Sequence, residues 1–220
     1  MDKQSNYVQN DKSSNQKKVN TPVSMKYWNN LMFSSAPSNS NASEESNNSG
    51  NSNTIAIAGG WIEAIGTILA AIGNTPSTIF SQSTLTNFRL IGNALQAAGS
   101  ALVAENEELL LDIVGDQLQA IGNITVIASI LNENPQTSQL LGTQGNLLQL
   151  LGAGVSINTQ ENLSFIQNID NIGNIIQAIG NAIQVLANTN TEEGITMNAV
   201  GSWVQAVGTV ITAIAGDYDD

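Results

Sequence analysis

One eight-residue frame recurs six times along this chain and limits the possible fold more than any other feature. It reads Gly-x-x-apolar-Gln-Ala-apolar-Gly and has no internal gap. The copies start at Gly59 (GGWIEAIG), Gly92 (GNALQAAG), Gly115 (GDQLQAIG), Gly145 (GNLLQLLG), Gly173 (GNIIQAIG) and Gly201 (GSWVQAVG). Successive starts lie 33, 23, 30, 28 and 28 residues apart. Periods of that length mark a repeat protein in which each unit is one supersecondary piece.

Counting from the first glycine, position four is Ile62, Leu95, Leu118, Leu148, Ile176 and Val204, and position seven is Ile65, Ala98, Ile121, Leu151, Ile179 and Val207. Steps of three and then four residues put both positions on one helical stripe. The apolar members of that stripe are the expected core. Position five is Glu63, Gln96, Gln119, Gln149, Gln177 and Gln205, expected on the opposite, polar face beside position two (Gly60, Asn93, Asp116, Asn146, Asn174, Ser202). Aligned amides there either bond across helices or form a neutral surface. Glu63 reads as a surface variant of the glutamine.

The frame glycines are Gly59 and Gly66, Gly92 and Gly99, Gly115 and Gly122, Gly145 and Gly152, Gly173 and Gly180, and Gly201 and Gly208, with Gly73 one step further along the first copy. A glycine inside a helix costs about 1 kcal/mol relative to alanine. Apolar periodicity runs through these glycines unbroken, so they are not loop punctuation. Their expected role is helix packing: without a Cβ, a neighbouring backbone comes close and recovers dispersion energy and weak Cα–H···O contacts.

The periodicity continues beyond the frame, through Leu69 and Ile72, Ile183 and Leu186, and Ile211 and Ile214. Each helix should therefore hold about 17–25 residues, roughly 25–38 Å at the helical rise. The first helix is expected over 54–73, stopped by Gly73-Asn74 and Pro76, and followed by a linker in which Ile79 and Phe80 pack back. The second spans 85–104. The acidic run Glu105, Glu107, Glu108 and Asp112 is expected to open the third, which ends by Leu131, where carboxylates suit a helix N-terminus. Asn132-Glu133-Asn134-Pro135 is a turn. The fourth covers 138–157, the fifth runs from after Asn162 to Ala187, and the sixth follows Thr191–Gly194 and stops at Gly216.

Short linkers favour antiparallel neighbours. The expected fold is all-α: six amphipathic, glycine-edged helices as antiparallel hairpins, forming a compact bundle or a short α-solenoid. A glycine-rich β-solenoid is the competing reading, since Ile55-Ala56-Ile57 and Ile124-Thr125-Val126 also suit strands. Residues 1–53, rich in Asn, Ser, Gln and Lys, form the expected disordered tail ahead of a helical domain over 54–220. Only the cluster Tyr27–Phe33 breaks the polarity of that tail, as a docking motif or as stray apolar residues.

Charge divides the chain the same way. Residues 1–53 hold Lys3, Lys12, Lys17, Lys18 and Lys26 against Asp2, Asp11, Glu44 and Glu45, whereas residues 54–220 hold Arg89 against fourteen acidic residues. The repeat region's balance of one minus fourteen repels nucleic-acid phosphates and anionic headgroups, and nucleic acid is excluded as its partner. Among 220 residues there is no cysteine and no histidine, so thiolate and imidazole metal sites are impossible and the usual nucleophile–base pairs are missing. The acidic run at 105–112 and the tail Asp217-Tyr218-Asp219-Asp220 suit a helix end and a solubilising terminus better than calcium. No cofactor, no metal and no catalysis are expected. The first thirty residues carry no apolar signal segment, which points to a cytoplasmic or spore-associated location.

The phrases GGWIEAIGTILAAIGNTP (59–76) and GSWVQAVGTVITAIAG (201–216) resemble the repeat of a family of repetitive proteins from spore-forming Gram-positive bacteria, over about residues 54–216. That resemblance implies a bacterial repeat fold and carries no activity with it.

Two functions fit these observations. The first is a structural or self-assembling protein, a homo-oligomer whose glycine-edged helices pack within and between chains. The second is membrane activity: residues 194–216 carry no charge and are long enough to cross a bilayer, although Thr196, Asn198, Ser202, Gln205, Thr209 and Thr212 interrupt them. A helical groove that binds a partner is a weaker third reading.

Overall fold

The computed structural model describes the backbone of residues 45–107 and 109–218, with side chains from Asn53 onward. The aromatic cluster Tyr27–Phe33, Glu108, Asp219, Asp220 and the tail to residue 44 lie outside the described residues. Six helices make up the described chain: α1 (Glu45–Asn74), α2 (Gln82–Asn106), α3 (Leu110–Ile130), α4 (Pro135–Val155), α5 (Phe165–Leu186) and α6 (Glu192–Tyr218). There is no strand among the described residues, so the β reading is set aside.

The ends follow local chemistry. Ser81 caps α2 by accepting from the Thr84 amide. Asn134 caps α4, with Pro135 in the first turn where its missing N–H costs nothing. Ser164 and Gln167 form a reciprocal capping box on α5. Three expectations need correction. Helix α1 begins at Glu45 rather than at 54. Glu105 closes α2 instead of opening α3, leaving Asp112 as the one acidic residue in the first turn of α3. Ile79 does not pack back: it is the most exposed apolar residue of its loop, while Phe80 meets Phe88 edge-on at 5.5 Å.

Each helix packs against its neighbours in the chain, and α1 packs against α6. The six helices therefore close into an up-and-down ring. A solenoid would leave its first and last helices apart, so the ring decides for the bundle. Closure has its own polar contacts: Asn74 Nδ2 donates to Ser202 Oγ at 2.7 Å, and Trp203 Nε1 donates to Thr75 Oγ1 at 2.9 Å.

Within the ring, the hairpins α1–α2, α3–α4 and α5–α6 are zipped by glycine. The frame glycines face each other in six reciprocal pairs: 59 with 99, 66 with 92, 115 with 152, 122 with 145, 173 with 208 and 180 with 201. A Cβ built on any of the twelve would lie 2.6–2.9 Å from the carbonyl oxygen of its opposite glycine. No side chain fits there, and backbone meets backbone along the seam, in reach of Cα–H···O contacts. Gly73 extends the first seam against the Leu85 carbonyl.

The apolar stripe faces the other way from the expectation. Ile65, Ile121, Leu151, Ile179 and Val207 at position seven are 50–57 % exposed, whereas Glu63 and the five glutamines at position five are 2–7 % exposed. Ile62, Leu95, Leu118, Leu148, Ile176 and Val204 are only half-buried. Helical geometry explains the inversion. Successive residues turn by about 100°, so glycines one and eight form one edge and position six, alanine in five of six copies, forms another. Both edges approach neighbouring helices. The sector between them holds positions two and five and points to the bundle axis, while positions three and seven point outward.

Candidate functional site: a polar axis in an apolar shell

Because small residues set the spacing on both flanks, the ring interior is built from the side chains between them. It is mostly amide and hydroxyl, with the carboxyls of Glu63 and Asp116 among them: Asn93, Asn123, Asn146, Asn174 and Asn181 are buried, as are Ser100, Ser202, Thr67 and Thr209. Glu63 is among these buried groups, contrary to its reading as a surface variant.

The position-five residues separate into two layers. Those of α2, α4 and α6 meet on the axis. Gln205 Nε2 donates to Gln149 Oε1 at 2.8 Å and to Gln96 Oε1 at 3.2 Å, although neither α2 nor α4 is adjacent to α6 in the ring. Gln184 Nε2 donates to Gln205 Oε1 at 2.9 Å, and Ser202 Oγ donates to Gln184 Oε1 at 3.2 Å. Contacts across the ring mean that the axis is filled at this level. A buried amide left unpaired costs about 1–3 kcal/mol, and this network is how the plug avoids that cost.

The second layer, from α1, α3 and α5, is Glu63, Gln119 and Gln177. All three line a cavity of about 330 Å³ that opens at one end of the ring. Asp116 and Asn174, one turn nearer the mouth, line it as well, with Asp112, Asp170 and Glu107. Asn174 Nδ2 donates to Asp170 Oδ2 at 3.0 Å, and Gln177 Nε2 donates to Thr212 Oγ1 at 3.3 Å. Asp116 lies close enough to Glu63, Glu107, Asp112 and Asp170 for charge–charge interaction. At the opposite end a smaller cavity of about 60 Å³ is lined by Arg89 with Asn74, Ser129, Gln139, Asn146 and Gln184. The axis thus has an acidic wide end, a glutamine plug and a narrow end beside the only arginine.

Three buried polar atoms have no hydrogen-bond partner among the described residues: Asn123 Oδ1, Gln177 Oε1 and Asn181 Nδ2. No group of three carboxylates among the described residues is close enough to hold one metal ion. The acidic run at 105–112 gathers nothing by itself; Glu107 and Asp112 become part of a site only through Glu63, Asp116 and Asp170 from the facing helices and the body of α3. A signal for this was available: Glu63 replaces the glutamine of five other frames, and Asp116 replaces an amide or small residue. What the sequence lacked was the register that brings both to one cavity.

The outside is the complement of the inside. Every exposed charged side chain among the described residues (Glu105, Glu133, Glu161, Glu192, Glu193, Asp217) lies in a loop or near a helix end. Between the ends the surface is Ile, Leu, Val, Ala and the two tryptophans at position three, Trp61 and Trp203, broken chiefly by Gln117 and Gln144. Phe80, Phe165 and Tyr218 are exposed at helix ends and in a loop. The shortest helices hold 21 residues, about 31 Å at 1.5 Å per residue. Among the described residues, 53–74 of α1, all of α3 and all of α6 are long and apolar enough to cross a membrane.

Residues 54–213 match a family of unknown function, DUF6944, and the chain belongs to that family. No curated protein and no solved structure matches it.

Proposed function

Starting from a family that brings no activity with it, we propose that this chain is a non-enzymatic membrane protein: a closed six-helix ring set in a lipid bilayer, with a polar axis shielded from the acyl chains. The observation that carries the reading is the distribution of polarity. Charged groups occupy the inside and the two ends, the outer face between the ends is an uncharged and largely apolar belt, and three of the six helices (53–74 of α1, α3 and α6) are long and apolar enough to cross a bilayer's hydrocarbon core. Backbone polar groups are satisfied within helices, as lipid requires. Small residues set the helix contacts, the device that serves packing where water cannot drive association. Exposed aromatics at the ends suit the headgroup level. The likeness of its repeats to those of spore-forming Gram-positive bacteria supports a bacterial bilayer as the host membrane.

Self-assembly through glycine edges loses support, because all twelve frame glycines are used inside the chain's own hairpins. What remains for contact between copies is the apolar belt. Liposome flotation followed by an alkaline carbonate wash separates the two readings. Full-length protein that stays with the lipid through the wash supports insertion. Protein that washes off, or that forms defined lipid-free particles in detergent-free buffer and does not float, overturns it in favour of a self-assembling structural protein.

A further inference from the structure

The narrow end of the polar axis holds the one basic side chain of residues 54–220. Three residues before the first glycine of their frames, α2, α4 and α6 carry Arg89, Gly142 and Asn198, and all three line the cavity of about 60 Å³. Gly142 has no side chain, which leaves that level open on α4. The Arg89 stem crosses the end of α1 at Gly73, where a Cβ would lie 2.6 Å from Arg89 Cγ. The missing side chain there makes room for the arginine.

A guanidinium carries five N–H donors and a permanent charge. Arg89 bonds to Asn93 through its carbonyl, which accepts from Asn93 Nδ2 at 2.8 Å. Its guanidinium has no hydrogen bond and no ion pair among the described residues, and no carboxylate there stands close enough to act on its charge. Glu133, Glu192 and Glu193, which precede or open α4 and α6 at this end, do not line the cavity, and neither does any other acid among the described residues. A charge drawn partly out of water and left unpaired is costly, and this region has fourteen acids that could have paired with it. A second group waits beside it. Asn146 lines the same cavity at 8 % exposure, and its side chain makes no hydrogen bond among the described residues. Its amide is not one of the polar atoms sealed from solvent, so the cavity reaches it.

We propose that the narrow cavity binds a small, singly charged anion of chloride size. Arg89 supplies the charge, and Asn146 and Asn198 supply amide N–H donors from α4 and α6. One cation among neutral amides and hydroxyls balances one negative charge, which sets the valence. A cavity of about 60 Å³ holds a halide with little accompanying water, which sets the size. The inference rests on the interior at one end, and it holds whether the outer belt meets lipid or another copy.

The test is chlorine-35 NMR on the full-length protein in detergent micelles, with sodium chloride as the probe. Wild-type protein should broaden the chloride line saturably. Bromide should reverse the broadening, and gluconate, too large for the cavity, should not. Arg89→Gln removes the charge and keeps an amide; the apparent affinity should fall at least about tenfold (about 1.4 kcal/mol). Asn146→Asp gives frame four the acid that frame three carries at the same position, Asp116, and should abolish the broadening by pairing with the guanidinium. Circular dichroism follows helical content in both, and Asn146→Asp carries the test should Arg89→Gln fail to fold. Lys17→Gln with Lys18→Gln removes two positive charges outside the repeat region and should leave the affinity unchanged. No saturable broadening in the wild type, undiminished affinity in a folded Arg89 or Asn146 variant, or an equal loss in the lysine double variant overturns the proposal. Failure here leaves insertion untouched, since flotation does not depend on this cavity.

Discussion

Replacing Gly180 with alanine tests the glycine seam directly. The new Cβ would press on the Gln205 amide nitrogen and sit 2.7 Å from the Gly201 carbonyl oxygen and 2.8 Å from Gln205 Cα. All three atoms are backbone, so no rotamer change relieves the contact and α5 must part from α6. Overpacking of this kind costs about 1–3 kcal/mol. Parting the hairpin also strains the Gln184–Gln205 hydrogen bond at 2.9 Å, worth about 0.5–1.5 kcal/mol. Against this, alanine gains about 1 kcal/mol in helix propensity. The net expectation is a loss of about 0.5–3.5 kcal/mol. At about 2–4 °C per kcal/mol for a chain of this size, the melting temperature should fall by about 1–14 °C, followed by circular dichroism in micelles. Gly154 is the control. It lies in α4, and a Cβ there meets nothing within 4 Å. Gly154→Ala should therefore raise the melting temperature by about 2–4 °C. One chemical change with opposite signs at two glycines is the signature. A rise at both positions would refute backbone contact along the seam.

Other perturbations reach other parts of the account. Ile121→Lys places a charge in the middle of the outer belt; at about 2.5–3.5 kcal/mol for a charge at the bilayer centre, the variant should lose most of its liposome flotation, whereas a water-facing Ile121 would leave it unaffected or more soluble. Gln205→Leu removes the shared partner of Gln96, Gln149 and Gln184. Thermal unfolding should show a loss of about 3–9 kcal/mol, at about 1–3 kcal/mol for each of the three orphaned groups, and an unchanged melt would mean that the plug is not formed. Cysteines replacing Asn74 and Ser202 should be joined within one molecule by a short bifunctional thiol reagent, since the native side chains are in hydrogen-bond contact at 2.7 Å; joining only between molecules would break the ring between α1 and α6.

Much of the fold was legible because its signals are local. Asn134-Pro135 and Ser164 announce helix starts, and the unbroken three-four periodicity through Gly173 and Gly180 rules out a loop there. The glycine edge was readable as close packing for the same reason: its cost demands a return. The direction of the faces was not read correctly, because the rule that large apolar residues go inside was given more weight than the pattern of small residues. Two features of the sequence argued the opposite. Ala64, Ala120, Ala178 and Ala206 supply a second small edge that brackets the glutamine, and positions three, four and seven carry no charge in any copy. The closing of the ring between α1 and α6, and the meeting of Glu63 with Asp116 and Asp170, depend on contacts distant in sequence, which no local pattern encodes.

The inverted arrangement is tested most directly by its own tryptophans. With Trp28→Phe in the tail, emission comes only from Trp61 and Trp203, both on the outward face at 38 % and 42 % exposure. In proteoliposomes, brominated phospholipid should quench most of that emission while aqueous acrylamide adds little. Strong quenching by acrylamide with none from the brominated lipid would contradict the account.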